Sequence, residues 1–183
     1  MVSNVLFSNE CVLSNKICNA TNSFNCLSED DIINPAEHQV VNSIVDTYKV
    51  DPIFLDVGGK KIESSSINCI TVSIPFKGTS ELFLYKHRYQ YEVTRPLGKL
   101  DIDTSKILIT VDINDGVYTF ESVNRYIDDQ VSLIIECMDK VNDDARIFNE
   151  SLEKIIKIHT HNKRQAIIRK NTIVSFLNTA FNN

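Results

Sequence analysis

The chain has 183 residues, 43% of them hydrophobic and 23% charged, which is enough for one compact domain or a small domain with an extension. A formal net charge of −5 gives no general attraction for polyanions, so nucleic acid would need a local basic patch. The five cysteines are odd in number and widely spaced, the start MVSNVLFSNE does not resemble a secretion signal, and no stretch approaches the roughly 18 apolar residues of a membrane span, so we expect a reduced, cytoplasmic chain outside the membrane.

Residues 1–34 are rich in Ser and Asn and show no sustained period of 2 or 3.6. This composition predicts a partly ordered arm, with one short strand at VLF. The cysteines at 11, 18 and 26 are spaced too widely for a zinc site of the C-x2–4-C type. They are therefore expected to be free thiols.

Residues 35–116 read as a small α/β domain. Asn34 followed by Pro35, with apolar residues on one face of the next stretch, predicts a short helix from about residue 35 to 49. DPIFLDVGGKKIE predicts a strand that enters a Gly-Gly hairpin turn, and SINCITVSIPF predicts a strand whose pairing ends at Pro75. ELFLYKHRYQYEVTRP, if extended, alternates between an aromatic face and a mixed polar face, and LDIDTSKILITVDIND predicts one or two further strands.

After Gly116 the sequence contains neither Gly nor Pro. Apolar or small residues recur there at alternating steps of three and four for about four heptads, which predicts a long helix from about residue 119 to 159. We call this series the seam; its members are Ile127, Val131, Ile134, Met138, Val141, Ala145, Phe148, Leu152 and Ile155. A second helical run from about 163 to 181 carries Ile167, Val174, Leu177 and Phe181 at similar spacing.

The charges in this region are divided unevenly. Residues 117–150 hold eight acids and three bases, whereas 151–183 hold one acid and six bases. An antiparallel helical hairpin, turning near IHTHNK, would lay the basic run beside the acidic one. The alternative is one helix of about 60 residues, or roughly 90 Å, which would need a partner along much of its length.

Signals for chemistry are few. His159 and His161 would lie on opposite faces of a helix, so a shared metal ion is not expected there. The adjacent acids Asp128–Asp129 and Asp143–Asp144 are typical of solvated faces, and no phosphate-loop, dinucleotide, metalloprotease or nucleophile-elbow motif occurs. We therefore predict no catalytic residues, no metal site and no cofactor.

SIPFKGTSELFLYKHRYQYEVTRPLGKL, followed by a strand and by a long helix carrying ARIFNESLEKIIKIHTHNKRQAIIRKNTIVSFL, resembles an accessory N-terminal domain of bacterial proteins. Some of those proteins are found in antiphage-defence or signalling contexts, where another domain carries the effector activity. The resemblance covers about residues 36–180. It implies a regulatory or assembly module in a bacterial cytoplasm and names no catalytic residue.

Together these features predict an α+β protein: a small, mainly antiparallel sheet with one covering helix, then a long coiled-coil-like helix and a second C-terminal helix. The predicted division is 1–34, 35–116 and 117–183. The first hypothesis for function is a non-catalytic interaction module that dimerises or docks an effector through the seam. The expected interface residues are Val131, Ile134, Met138, Val141, Phe148, Leu152 and Ile155.

The alternative hypothesis is a sensor that binds a phosphorylated ligand or nucleic acid, nucleic acid being the less favoured partner. The basic run would carry it through Lys163, Arg164, Arg169 and Lys170. Pairing with the acidic stretch would account for the same residues without a ligand.

Overall fold

The computed structural model describes residues 6–9, 11–87, 96–113 and 119–181. It is an α+β protein with a small antiparallel sheet, as the sequence predicts. The helices are α1 (Val12–Asn25), α2 (Glu29–Ile33), α3 (Glu37–Tyr48) and α4 (Phe120–Phe181). The strands are β1 (Phe54–Leu55), β2 (Lys61–Ser65), β3 (Cys69–Lys77), β4 (Lys99–Asp101) and β5 (Lys106–Asp112).

The chain divides into two compact units. Unit 1 consists of residues Met1–Leu13 and Val50–Arg146, which include the sheet and the first part of α4. Unit 2 consists of residues Ser14–Lys49 and Ile147–Asn183, which include most of α1, all of α2 and α3, and the rest of α4. One helix thus contributes to both units.

In unit 1 the sheet has the order β1-β3-β5-β4, and β2 also pairs with β3. The long β3–β5 ladder runs antiparallel from Cys69↔Asp112 to Pro75↔Lys106. Alternate side chains of these two strands are buried and form the inner face of the sheet: Val72, Ile74, Phe76, Ile107, Ile109 and Val111. The glycine after β3 has no substitute, because Gly78 has φ 99° and a Cβ there would lie 2.1 Å from the carbonyl oxygen of Pro52.

Two expectations for the strands were wrong. Gly58 and Gly59 do not join a hairpin: they belong to a 3₁₀ turn over Val57–Gly59 that Asp56 caps, and β1 and β2 each pair with β3 instead. Pro75 does not end the pairing of β3 either. The strand continues to Lys77 because the Pro75 carbonyl still accepts a hydrogen bond from the Asp56 N–H and the ladder needs no donor from Pro75 itself.

The extended reading of residues 83–94 is also corrected where the structure describes them. Phe83 ends a 3₁₀ turn over Ser80–Phe83, and Tyr85 forms an isolated parallel bridge with Asn9. The predicted faces beyond residue 87 lie outside the described residues. The strand expected at VLF is not found at Leu6 and Phe7, which lie in a turn.

The arm expected at residues 1–34 contains two helices. In unit 2, α1 buries Ala20 and Phe24, α2 buries Ile32, and α3 buries Val40 and Val41. α2 begins with a capping box, in which Ser28 Oγ accepts from the Asp31 N–H and Asp31 Oδ2 accepts from the Ser28 N–H. The helix predicted from residue 35 to 49 is confirmed as α3.

The long helix is continuous, so the predicted hairpin and second C-terminal helix were wrong. α4 runs without a break over 62 residues and passes straight through His159 and His161. A stretch without Gly or Pro contains no residue that would break the helix. The basic side chains whose charge suggested a hairpin make other contacts. The basic residues of α4 bond to α1, α2 and the residues that follow them.

Candidate functional site

The predicted interface residues are core residues of the single chain. Val131, Ile134, Met138, Val141, Phe148 and Leu152 are each 5% exposed or less, and Ile155 is half-buried. The first four belong to unit 1 and the last three to unit 2. The seam was expected to need a second surface because the neighbouring core seemed too short. In the structure the chain covers it with its own elements.

The cover ends near Ile167. Buried positions of α4 in unit 2 continue at steps of four and seven, through Ile156, Thr160 and Ile167. Beyond Ile167 the apolar residues of α4 are exposed. We call the following five residues the distal face: Ile173, Val174, Phe176, Leu177 and Phe181.

The distal face continues the periodic pattern of the seam. From Ile167, steps of seven, three and four lead to Val174, Leu177 and Phe181, so these side chains extend the buried stripe along the same side of the helix. Phe176 is 72% exposed and Phe181 is 81% exposed. The sequence shows this spacing for Val174, Leu177 and Phe181, but the interface predicted from it was the seam.

The chemistry of this segment is uniform. Residues 171–181 contain no charged side chain, and the side of the helix opposite the distal face carries Asn, Ser and Thr. Thr172 Oγ1 donates to the Ile168 carbonyl and Thr179 Oγ1 donates to the Ser175 carbonyl, at 2.9 and 3.0 Å. These hydroxyls are thus satisfied within the helix.

The basic run is largely occupied by contacts within unit 2. Lys163 Nζ donates to the Leu27 carbonyl at 3.0 Å and lies 5.3 Å from the ring centre of Phe24. The Arg164 guanidinium donates to the carbonyls of Ile33 and Pro35, at 3.1 and 2.9 Å. Both cations therefore bind carbonyls at or just beyond the ends of helices, where cations are favoured.

The other two members of the run differ from each other. Lys170 Nζ contacts both carboxylate oxygens of Glu29, at 2.7 and 2.9 Å, whereas the Arg169 side chain is exposed. The structure does not present the four cations as one open patch. A phosphate group would have to compete with these internal acceptors for three of them.

The two histidines of α4 are separated as expected from helical geometry. The His159 ring packs edge-on against Phe24, with ring centres 5.9 Å apart, and His161 Nδ1 lies 3.8 Å from Glu37 Oε2. In the part of the chain that the structure describes, no three His, Cys, Asp or Glu side chains form a group that could hold a metal ion.

Unit 1 contains a buried polar cluster that was not predicted from the sequence. Asp144 is 5% exposed, and its Oδ2 accepts from the Tyr85 hydroxyl at 3.0 Å and lies 2.7 Å from His87 Nδ1. The expectation that Asp143–Asp144 is a solvated pair was therefore wrong for Asp144. The sequence pattern does not show which polar group a side chain will contact, so the pair Asp143–Asp144 gave no indication of this cluster. The cluster fixes the segment after the second 3₁₀ turn to α4.

Other polar side chains of α4 bind the backbone of segments that pack against the helix. Asn142 Oδ1 accepts from the Ile53 N–H and its Nδ2 donates to the Ile53 carbonyl, while Gln130 Oε1 accepts from the Leu97 N–H. These contacts dock the flanking segments onto the helix. In both units, the polar residues of α4 thus act as structural anchors.

Comparisons with protein-family models, with curated proteins and with solved structures gave no match to this chain. The resemblance to a bacterial accessory domain therefore stays a prediction. No helix among the described residues is both long and apolar enough to cross a membrane.

Proposed function

We propose that the protein is a non-catalytic assembly module that pairs with a second copy of itself through the distal face of α4. The observation that carries this proposal is an uncharged apolar helix face, exposed over residues 173–181, that continues a stripe buried elsewhere in the chain. The seam residues named from the sequence support the fold, whereas the distal face is available for pairing.

The exposed area suits a weak homodimer. An aromatic side chain offers roughly 150–250 Å² of surface, so Phe181 exposes about 160 Å², and with Ile173, Val174 and Leu177 the face exposes on the order of 400 Å². Phe176 lies about 140° around the helix from Phe181, so one partner does not cover both rings. Two copies would bury about 800 Å², which is the size of a weak or transient interface. A second copy also meets no electrostatic penalty, because residues 171–181 carry no charge.

The composition of the helix favours pairing as well. Residues 171–181 include two Thr, two Asn, one Ile and one Val, all of which have weaker helix propensity than Ala or Leu. A helical segment of this composition gains most of its stability from packing of its apolar face. A membrane surface is a less suitable partner, because helices that lie on membranes usually carry Lys or Arg on the polar side.

The test is the solution mass by light scattering, at low and high salt. We expect twice the chain mass of 20.8 kDa, unaffected by salt because the contact is apolar. Leu177→Asp with Phe181→Asp should give a monomer that keeps its helical circular dichroism. The matched control, Asn171→Asp with Ser175→Asp, adds the same charge on the opposite side of the helix and should leave the dimer intact.

A wild-type chain that is monomeric at tens of micromolar would overturn the proposal, as would a dimer that survives Leu177→Asp with Phe181→Asp. If the monomer instead cosedimented with phosphatidylglycerol vesicles, the distal face would be a membrane-binding surface. Phe148→Asp or Leu152→Asp is a poor test, since both side chains are buried in unit 2 and a charge there would unfold it.

A further inference from the structure

We infer that residues 6–9 form a replaceable strap: they occupy a peptide-binding groove of unit 1, and a separate peptide of the same sequence can take their place there. The groove is formed by residues 83–86, by Gly98 and by the inner face of the sheet. This inference concerns unit 1 alone and does not depend on the distal face of α4.

The strap is bound through its backbone. The Phe7 N–H donates to the Phe83 carbonyl at 2.6 Å. The Lys86 N–H donates to the Asn9 carbonyl at 2.9 Å, and Asn9 forms a parallel bridge with Tyr85. Main-chain hydrogen bonds of this kind also hold short peptides to other proteins, so they do not require that both partners belong to one chain.

Two side chains of the strap fill the groove. Leu6 and Phe7 are both fully buried. The Phe7 ring lies 6.1 Å from the Phe83 ring, which in turn packs edge-on against Phe76 at 4.7 Å, measured between ring centres. Leu6 lies over Gly98, where a Cβ would come within 2.8 Å of Leu6 Cδ1. The groove therefore has one site for an aromatic ring and one for a leucine, which selects a Leu-Phe sequence.

The backbone of the strap is strained. Phe7 has φ 51°, in the left-handed region that bulky side chains rarely adopt. Such a conformation persists only where the surrounding contacts hold it, and it is found most often at ligand clamps and switch regions. The strain and the entropy of ordering the backbone both oppose the gain from burying two side chains. The strap is therefore easier to release than an unstrained segment that buries the same side chains.

The test is the binding of a fluorescently labelled peptide, SNVLFSN, to the full-length chain, measured by fluorescence anisotropy. The peptide has the sequence of residues 3–9. In the wild-type chain the strap fills the groove, so we expect weak binding. In the double variant Leu6→Ser with Phe7→Ser the strap no longer competes, and the peptide should bind roughly tenfold more tightly or better. The matched control is the peptide in which both apolar residues are Ser, which should bind neither chain.

A further variant changes the groove and leaves the peptide as it is. Gly98→Ala, added to Leu6→Ser with Phe7→Ser, places a methyl group where the leucine of the peptide must lie. It should lower the affinity for SNVLFSN by about tenfold, because an added methyl group in a filled site forces its neighbours apart.

Three results would overturn the inference. One is a folded double variant that binds SNVLFSN no more tightly than the wild-type chain does. Another is equal binding of the two peptides, which would mean that the leucine and the phenylalanine are not recognised. The third is a double variant that no longer unfolds cooperatively, because Leu6 and Phe7 would then be core residues that unit 1 cannot release.

Discussion

Two segments of α4, which we call its two lengths, differ in whether the rest of the chain covers their apolar residues. From Ile127 to Ile167 the apolar stripe of α4 is buried by the chain's own strands, turns and helices, and from Ile173 to Phe181 a continuation of that stripe is exposed. The spacing of apolar residues is similar in both lengths. The difference shows that periodicity predicts which side of a helix seeks a partner, but does not predict whether the partner is in the same chain.

The largest effect on stability is expected from truncating a buried leucine in the first length, and it is compared with an exposed leucine in the second. Leu152 is fully buried in unit 2, so Leu152→Ala should lower the free energy of unfolding by about 2–5 kcal/mol, because it removes buried methyl groups and leaves a cavity. Leu177 is 42% exposed, so Leu177→Ala should cost less than about 1 kcal/mol. Urea unfolding followed by circular dichroism, at concentrations where the chain is monomeric, measures both.

Equal losses in the two variants would contradict the comparison. They would mean either that Leu152 can relax without forming a cavity or that the chain itself covers Leu177. The seam and the distal face would then belong to one continuous core.

The elements could be predicted from the sequence where the local signal was strong. The Asn-Pro start predicted α3, alternation predicted β3, and steps of three and four predicted a long helix starting near residue 119, with its unbroken run to Phe181 only as the alternative to a hairpin. α1 was missed although Leu13, Ile17, Ala20 and Phe24 follow the same steps, because the Ser and Asn residues between them have low helix propensity. Which helix a stripe packs against depends on contacts far apart in sequence.

The site was harder to predict for that reason. Lys163 binds the Leu27 carbonyl across 136 residues, a contact that the local sequence of neither partner indicates. With residues 1–34 taken for an arm, α1 and α2 were missed. The basic run then had no visible acceptors, and the part of the seam in unit 2 had no visible cover.

An intermediate effect is expected where the basic run holds the cover in place. Arg164→Met should lower the free energy of unfolding by about 1.5–3 kcal/mol, because it removes two charge-assisted hydrogen bonds to the carbonyls of Ile33 and Pro35. Amide hydrogen exchange should also become faster in α2 and α3. Arg169→Met, in the same run but exposed, should change stability by no more than about 0.5 kcal/mol.

If Arg169→Met proved as costly as Arg164→Met, Arg169 would be as strongly bound as Arg164, and the division of the basic run into bound and open cations would be wrong. Faster exchange in residues 171–181 of the Arg164→Met chain would show that the distal length depends on the same cover. The two lengths of α4 would then not be separable.

The smallest effect concerns the capping box at the start of α2, the helix whose first residue binds Lys170. The Ser28 hydroxyl donates to Asp31 Oδ2 at 2.6 Å and, with the Ser28 backbone N–H, lowers the pKa of the Asp31 carboxyl below its ordinary value of 3.8. Because the folded pKa is depressed, this stabilisation is present above pH 3.8 and is lost as the pH falls through the folded pKa.

Ser28→Ala should therefore raise the pKa of Asp31 toward 3.8, as measured by an NMR titration of the carboxyl carbon. The pKa of Asp101, which is lowered mainly by the Thr104 hydroxyl in unit 1, should not move and serves as the control. An Asp31 that titrates alike in both chains would mean that the capping box does not form in solution, so that the cover of α4 begins without a fixed helix start.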